Sequence, residues 1–224
     1  MSTARALEPE LINPLIRRSV SSQDINTLTD IYAQDVNIAI WKRCLSEAVI
    51  TDVENLLDTA TSLNTSAFIR AKDIKGDICD GLKSTEIGNA FLDCTTELVD
   101  IFCTLFELDE VGLRLRLIDS PMCPRFHVDR VPCRLVTTFA GPGTQWLEHN
   151  KVERDKLGHG SKGLEDEVSG LFRHQADIQT IETGDVALLK GEAWIGNQSA
   201  GIVHRSPPYN GGQKRLLMTL DFLP

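Results

Sequence analysis

Met122–Asp129 reads M-C-P-R-F-H-V-D and sets His127 and Asp129 two residues apart at the start of an apolar, strand-like run. Side chains at i and i+2 leave the same face of a strand, so this pair aims an imidazole and a carboxylate at one point. That is two thirds of a metal site. His204, in the run A-G-I-V-H-R-S-P-P (Ala200–Pro208), offers a third ligand. Two imidazoles and one carboxylate on one side of a cation leave the opposite coordination positions open. An isolated H-x-D also recurs by chance as a hydrogen-bonded surface pair, so the surrounding chain has to decide between the two readings.

Upstream, V-G-L-R-L-R-L-I (Val111–Ile118) has period 2, with Leu113, Leu115 and Leu117 on one face and Arg114 and Arg116 on the other, a half-buried strand. Before it, apolar residues at three-and-four spacing predict helices within about 46–60 (Val49, Ile50, Val53, Leu56, Leu57) and 86–108 (Ile87, Phe91, Cys94, Leu98, Ile101, Leu105, Leu108). Asp24 opens a short helical pattern through Ala33, and Val36–Arg43 alternates as a short strand. Between Thr61 and Gly88 the signals are mixed and predict no firm element. Residues 1–23, with Pro9, Pro14 and a polar S-V-S-S-Q run, read as a flexible leader to a single domain over 24–224.

Downstream come R-L-V-T-T-F, the turn A-G-P-G-T, a short Q-W-L strand and a polar, Gly-rich segment from Glu148 to Asp177. That segment reads as a surface loop, either a lid or an inert excursion. Short strands then resume: I-Q-T-I, D-V-A-L-L-K, A-G-I-V-H-R and R-L-L-M-T-L-D-F. Helices first and short strands over about 111–224 predict an α+β fold, a jelly-roll barrel with an N-terminal helical support layer.

With 224 residues, 42% hydrophobic and 25% charged, the chain has room for one sizeable core and is no disordered polymer. A net charge of −9 without a Lys/Arg block argues against a general nucleic-acid binder. No apolar run is long enough to span a bilayer, no apolar signal core opens the chain, and the six cysteines lack C-x-x-C spacing. Reduced thiols and a cytoplasmic location are expected, with a small molecule or a protein as substrate.

The order of these elements resembles the double-stranded β-helix of Fe(II)/2-oxoglutarate-dependent dioxygenases, a branch of the cupin-like jelly rolls. In that family an H-x-D sits on the second core strand, a distal His on the seventh, and a basic residue on the eighth binds the cosubstrate's distal carboxylate. The resemblance implies His127, Asp129 and His204 as Fe(II) ligands and Arg215 as the 2-oxoglutarate anchor. Many dioxygenases place a hydroxyl residue two positions after that Arg; here Leu217 stands there, and Thr219, or Thr137 or Thr138 on a neighbouring strand, is the substitute. The strings C-P-R-F-H-V-D, G-P-G-T-Q-W-L, L-L-K-G, V-H-R-S-P-P and R-L-L-M-T-L-D-F are further similar to those of an uncharacterised, mostly bacterial family of unknown function.

Two rivals stand beside an oxygenase. Cys123 and Cys133 bracket the H-x-D, and a thiolate added to the triad would favour Zn(II) in a non-catalytic, metal-sensing cupin. A degenerate jelly roll serving only as an interaction module is the other. Gly141–Thr144 is too short for a phosphate cradle and reads as a tight turn. His149, His159 and His174 read as loop histidines, while Trp146 and Trp194 flank the expected mouth as packing or stacking residues. Neither a G-x-S-x-G elbow nor a zinc-deaminase pattern is present.

Overall fold

The computed structural model describes residues 16–82, 85–119, 124–208 and 211–223. Strands β1 (Arg18–Ser22), β2 (Val36–Trp41), β3 (Leu63–Arg70), β4 (Glu110–Ile118), β5 (Cys133–Ala140), β8 (Val186–Lys190) and β10 (Arg215–Asp221) form a seven-stranded sheet in the order β1-β2-β8-β5-β10-β4-β3. The shorter strands β6 (Gln145–Leu147), β7 (Ile178–Thr180) and β9 (Val203–Arg205) form a second sheet in the order β7-β6-β9. Helices α1 (Glu47–Thr59), α2 (Ile74–Gly81) and α3 (Asn89–Phe106) complete a mixed α+β architecture.

Period-2 alternation divides the large sheet into two faces. Leu216, Met218 and Leu220 of β10, Leu113 and Leu115 of β4, Cys133, Leu135 and Phe139 of β5, and Val186 and Leu188 of β8 join the apolar faces of α1 and α3 in the main core. Ile38, Ile40, Val136, Ala187, Leu189 and Leu217 point the other way and meet Trp146, Ile181 and Ile202 of the small sheet's side in a second core. The 148–177 segment closes the far side of the small sheet, where Leu171 and Phe172 pack on Phe126, Leu147 and Val203.

Helix α3 starts where Asp52 of α1 accepts a hydrogen bond from Phe91 N at 3.0 Å, a carboxylate on the positive end of a helix. A Cβ at Gly88 would lie 1.9 Å from that carboxyl carbon, so a larger residue there would displace the capping carboxylate.

The segment read without a firm element, 61–88, carries β3 and α2. Period 2 was hidden because the inward residues of β3 are Leu63, Thr65, Ala67 and Ile69, while the large apolar Phe68 is 73% exposed. Helix α2 has only Ile74 and Ile78 buried and two glycines. Residues 1–15 of the expected leader lie outside the described residues, and Arg18–Ser22 pairs in parallel with β2 as an edge strand. Polar contacts hold that strand: Arg17 Nε donates to Asn197 Oδ1 at 2.8 Å and Arg18 Nε to Asp35 Oδ2 at 2.6 Å. Hydrophobic periodicity carries no trace of such bonds.

Among the described residues no helix is long and apolar enough to cross a membrane.

Candidate metal centre and its pocket

His127 and His204 form an isolated antiparallel β-bridge, each backbone N–H donating to the other's carbonyl at 3.0 Å. The H-x-D stretch is thus shorter than a strand. Asp129 lies beyond the bridge, where its carbonyl accepts from Glu192 N at 2.9 Å and so fastens the loop to the end of β8.

These backbone bonds bring three side chains together. One ligand atom from each of His127, Asp129 and His204 lies within 4.8 Å of the others, with His204 Nε2 at 3.4 Å from Asp129 Oδ2 and His127 Nε2 at 3.9 Å from Oδ1. The Nδ1 atoms face carbonyl oxygens, that of His127 at 2.9 Å from Arg125 O and that of His204 at 3.2 Å from Ile202 O. A carbonyl only accepts, so each ring carries its proton on Nδ1 and turns an Nε2 lone pair toward the carboxylate. Burial, with the His204 ring adding to it, pushes the His127 imidazole below its ordinary range and keeps it neutral. Burial would raise Asp129, yet the adjoining His204 ring and the charge of Arg134 outweigh it and hold the carboxyl well below the usual carboxylate range. Two imidazoles that turn their Nε2 atoms toward one ionised carboxylate suit a divalent cation.

The pocket between the sheets has a volume of about 400 Å³ and is lined by His127 and His204 together with Arg114, Arg116, Arg134, Arg205 and Arg215. Arg215 stands on the inward face of β10, only 4% exposed. Its Nη2 donates to Thr144 Oγ1 at 2.7 Å and to Thr138 Oγ1 at 3.2 Å, and its Nη1 to Ser206 Oγ at 3.4 Å. Its Nε is buried without a partner, and among the described residues no carboxylate pairs with it. Burial pushes this guanidinium down to about 10. Thr219 lines the same pocket four residues along β10, about 13 Å away at the usual strand rise, and is not among the hydroxyls bonded to Arg215.

Cys123 lies outside the described residues. Cys133, one of the two thiols that bracket the H-x-D, faces the helices in the main core and does not join the cluster, and burial pushes its thiol well above the usual range. Trp146 packs in the second core, and Trp194 lies against Tyr32, Phe106 and Lys190. Neither tryptophan lines the pocket, because both are held by core packing on other walls. His149 meets Arg154 at 3.2 Å and is pushed down to about 4 by burial and that charge, while His174 caps a turn. Neither joins the cluster.

Over residues 22–221 the chain matches the model of a family described as a protein of unknown function, DUF1826. The chain belongs to this family. No curated protein matches it. Among solved structures it is similar to dioxygenase for auxin oxidation 1 from Arabidopsis thaliana in its complex with 2-oxoglutarate, with a TM-score of 0.54 and 8% identity over 93% of both chains. It is also similar to the rice dioxygenase for auxin oxidation, with a TM-score of 0.50 and 10% identity over 93% of this chain and 83% of that one. At such identities the likeness is one of fold.

In this family member several groups around the site escaped the sequence reading. Arg134 Nη1 donates to Asp129 Oδ2 at 2.7 Å while its Nε donates to Asp221 Oδ1 at 2.7 Å. Asp166, 5% exposed, accepts from Phe126 N at 2.7 Å and from Arg205 Nη1 at 3.4 Å, tying the arm before His127 to the strand that carries His204. Thr144 comes from the G-P-G-T turn, which is tight for a reason: a Cβ at Gly143 would lie 1.6 Å from Ile181 O. The alternating L-R-L-R of β4 was the one available signal for a cationic wall, and it read equally well as a solvated face.

Proposed function

We propose that this protein is an oxygenase of the Fe(II)/2-oxoglutarate type, with His127, Asp129 and His204 as the metal ligands and Arg215 as the anchor for the cosubstrate's distal carboxylate. The observation that carries this reading is Arg215. Among the described residues this guanidinium, 4% exposed, is bonded only to hydroxyls, shares a pocket with His127 and His204, and has no carboxylate to offset its burial. Thr138 and Thr144 hold its fork in place and add hydroxyl donors beside it. Iron(II) and 2-oxoglutarate would together supply the activation of O₂, and the side chains named here would bind, orient and shield them.

The strand order supports the same reading. The orders β8-β5-β10-β4 in the large sheet and β7-β6-β9, with the His127 bridge beside β9, in the small one are those a double-stranded β-helix would have if its second core strand were reduced to one bridge. On this reading the H-x-D, the distal His and the Arg would fall on the second, seventh and eighth core strands.

The test is anaerobic addition of 2-oxoglutarate to the Fe(II)-loaded protein, read by its charge-transfer absorbance. A band that saturates with cosubstrate is the expected result. Tight Zn(II) binding with no cosubstrate response would make it a zinc-binding cupin instead, and absence of metal binding would leave an interaction module.

A further inference from the structure

The inward faces of β4 and β10 run side by side through the pocket, with Arg114 opposite Thr219 and Arg116 opposite Leu217. Cross-strand partners share a face, so these four side chains form one wall. A strand wall showing L-R-L-R normally turns its arginines to water; here they line a concavity that His127 and His204 also line. Among the described residues five guanidiniums and two imidazoles line it, and no carboxylate does.

The nearest acids are already shared. Asp221 serves both Arg114 and Arg134, and Arg134 also reaches Asp129. Asp166 and Glu167 serve Arg205. Asp221 thus divides its charge between two guanidiniums, one of them Arg114, whose side chain is 44% exposed. Arg215 stands four residues from Thr219 along β10, so an anion held by Arg215 does not occupy the Arg114–Thr219 end of the wall.

We infer that the wall of Arg114, Arg116 and Thr219 is a binding site for the anionic head of the substrate, a small molecule carrying a carboxylate or phosphate whose apolar body lies on Val136, Leu189 and Leu217. The inference rests on the oxygenase reading in taking this anion for the substrate's. It moves Thr219 from the cosubstrate end of the pocket to the substrate end. Guanidinium forks suit planar or tetrahedral oxyanions, and the three apolar side chains between the two cationic ends match a short hydrocarbon body. The about 400 Å³ available suits a small molecule.

The test is calorimetric titration of the full chain, metal-loaded, with pentanoate, pentyl phosphate, 1-pentanol and pentylamine, each with and without 2-oxoglutarate. At least one anion should bind tenfold or more tightly than the alcohol, and the amine should not bind; the tighter anion identifies the head group. Arg116→Gln should weaken anion binding at least tenfold, while Arg215→Gln keeps it within threefold and instead loses 2-oxoglutarate. Because Arg114 also holds Asp221, Arg114→Lys, checked for a native circular dichroism spectrum, serves as the second variant and should weaken pentanoate severalfold. Equal affinity for anion and alcohol, no anion binding, or anion binding that follows Arg215 rather than Arg114 and Arg116 would overturn the inference. Failure of wild-type protein to bind 2-oxoglutarate, with the Arg116-dependent anion site intact, would instead remove the oxygenase reading and leave the anion site standing.

Discussion

Arg134 Nη1 lies 2.7 Å from Asp129 Oδ2, so the one carboxylate of the His-Asp-His cluster is already oriented by a guanidinium. The same guanidinium is anchored on Asp221 through Nε at 2.7 Å and Nη2 at 3.0 Å. That anchoring fixes its direction, so it orients the Asp129 carboxylate as well as stabilising its charge. Arg134→Ala should weaken divalent metal binding about 10–100-fold, the usual cost of losing a group that orients a ligand. Arg134→Lys should fall between, because one ammonium cannot span two carboxylates as a fork does. Isothermal titration with a redox-silent divalent cation measures both; wild-type affinity in Arg134→Ala would refute the positioning role.

Arg215 trades stability for binding. Its Nε is buried without a partner, and replacing it by methionine removes that desolvated charge at similar volume. Arg215→Met should leave the fold as stable or up to about 2 kcal/mol more stable in urea, while weakening 2-oxoglutarate by about 2–5 kcal/mol. Metal affinity should hold. A variant that loses stability and keeps cosubstrate would mean that the guanidinium serves the fold alone.

Gly191 sets the position of the loop that carries Asp129. A Cβ there would lie 2.0 Å from Val131 O and 2.9 Å from Asp129 O, contacts that only a backbone shift relieves. Gly191→Ala should therefore cost about 1–3 kcal/mol of stability, as overpacking does, and lower metal affinity at least tenfold. His149→Ala, away from this loop, should leave metal affinity unchanged under the same titration.

Lys190 is 1% exposed, with Nζ bonded to Ala33 O at 3.0 Å and lying 4.7 Å from the centre of the Trp194 ring. Burial pushes its ammonium down to about 8 from 10.5. Between those values the unfolded chain holds a proton that the folded chain has released, so stability rises with pH over that window and the contribution is absent below it. The urea midpoint of wild type, followed from pH 7.5 to 10.5, should rise relative to that of Lys190→Met. Parallel profiles for the two proteins would show that Lys190 keeps its ordinary proton affinity.

How much of this was legible before any coordinates follows the nature of each signal. His127, Asp129, His204 and Arg215 could be nominated together because strand parity and family order are linear properties of the chain. The two helices of the support layer were legible because α1 and α3 bury one stripe each at helical spacing. What escaped was held by long-range polar contacts: Arg134 to Asp221 spans 87 residues, Arg215 to Thr144 spans 71, and Asp166 to Phe126 spans 40. Charged and hydroxyl residues at such separations look in sequence like any solvated surface. Strand β3 escaped for a different reason, since an edge strand needs little apolar content on its inner face and tolerates Phe68 on its outer one.

The alternation along β10 has a consequence for descent. Even-numbered residues Leu216, Met218 and Leu220 fill the core against the helices, and odd-numbered Arg215, Leu217 and Thr219 face the pocket. Substitutions at the odd positions therefore change what the pocket accepts while drawing little on the apolar reserve that keeps the chain folded. Lineages can diverge in ligand through one parity while drifting conservatively in the other. A one-residue insertion or deletion in this strand would exchange the two sets in a single step, so length variation should be purged from β10 even where its pocket-facing identities turn over freely.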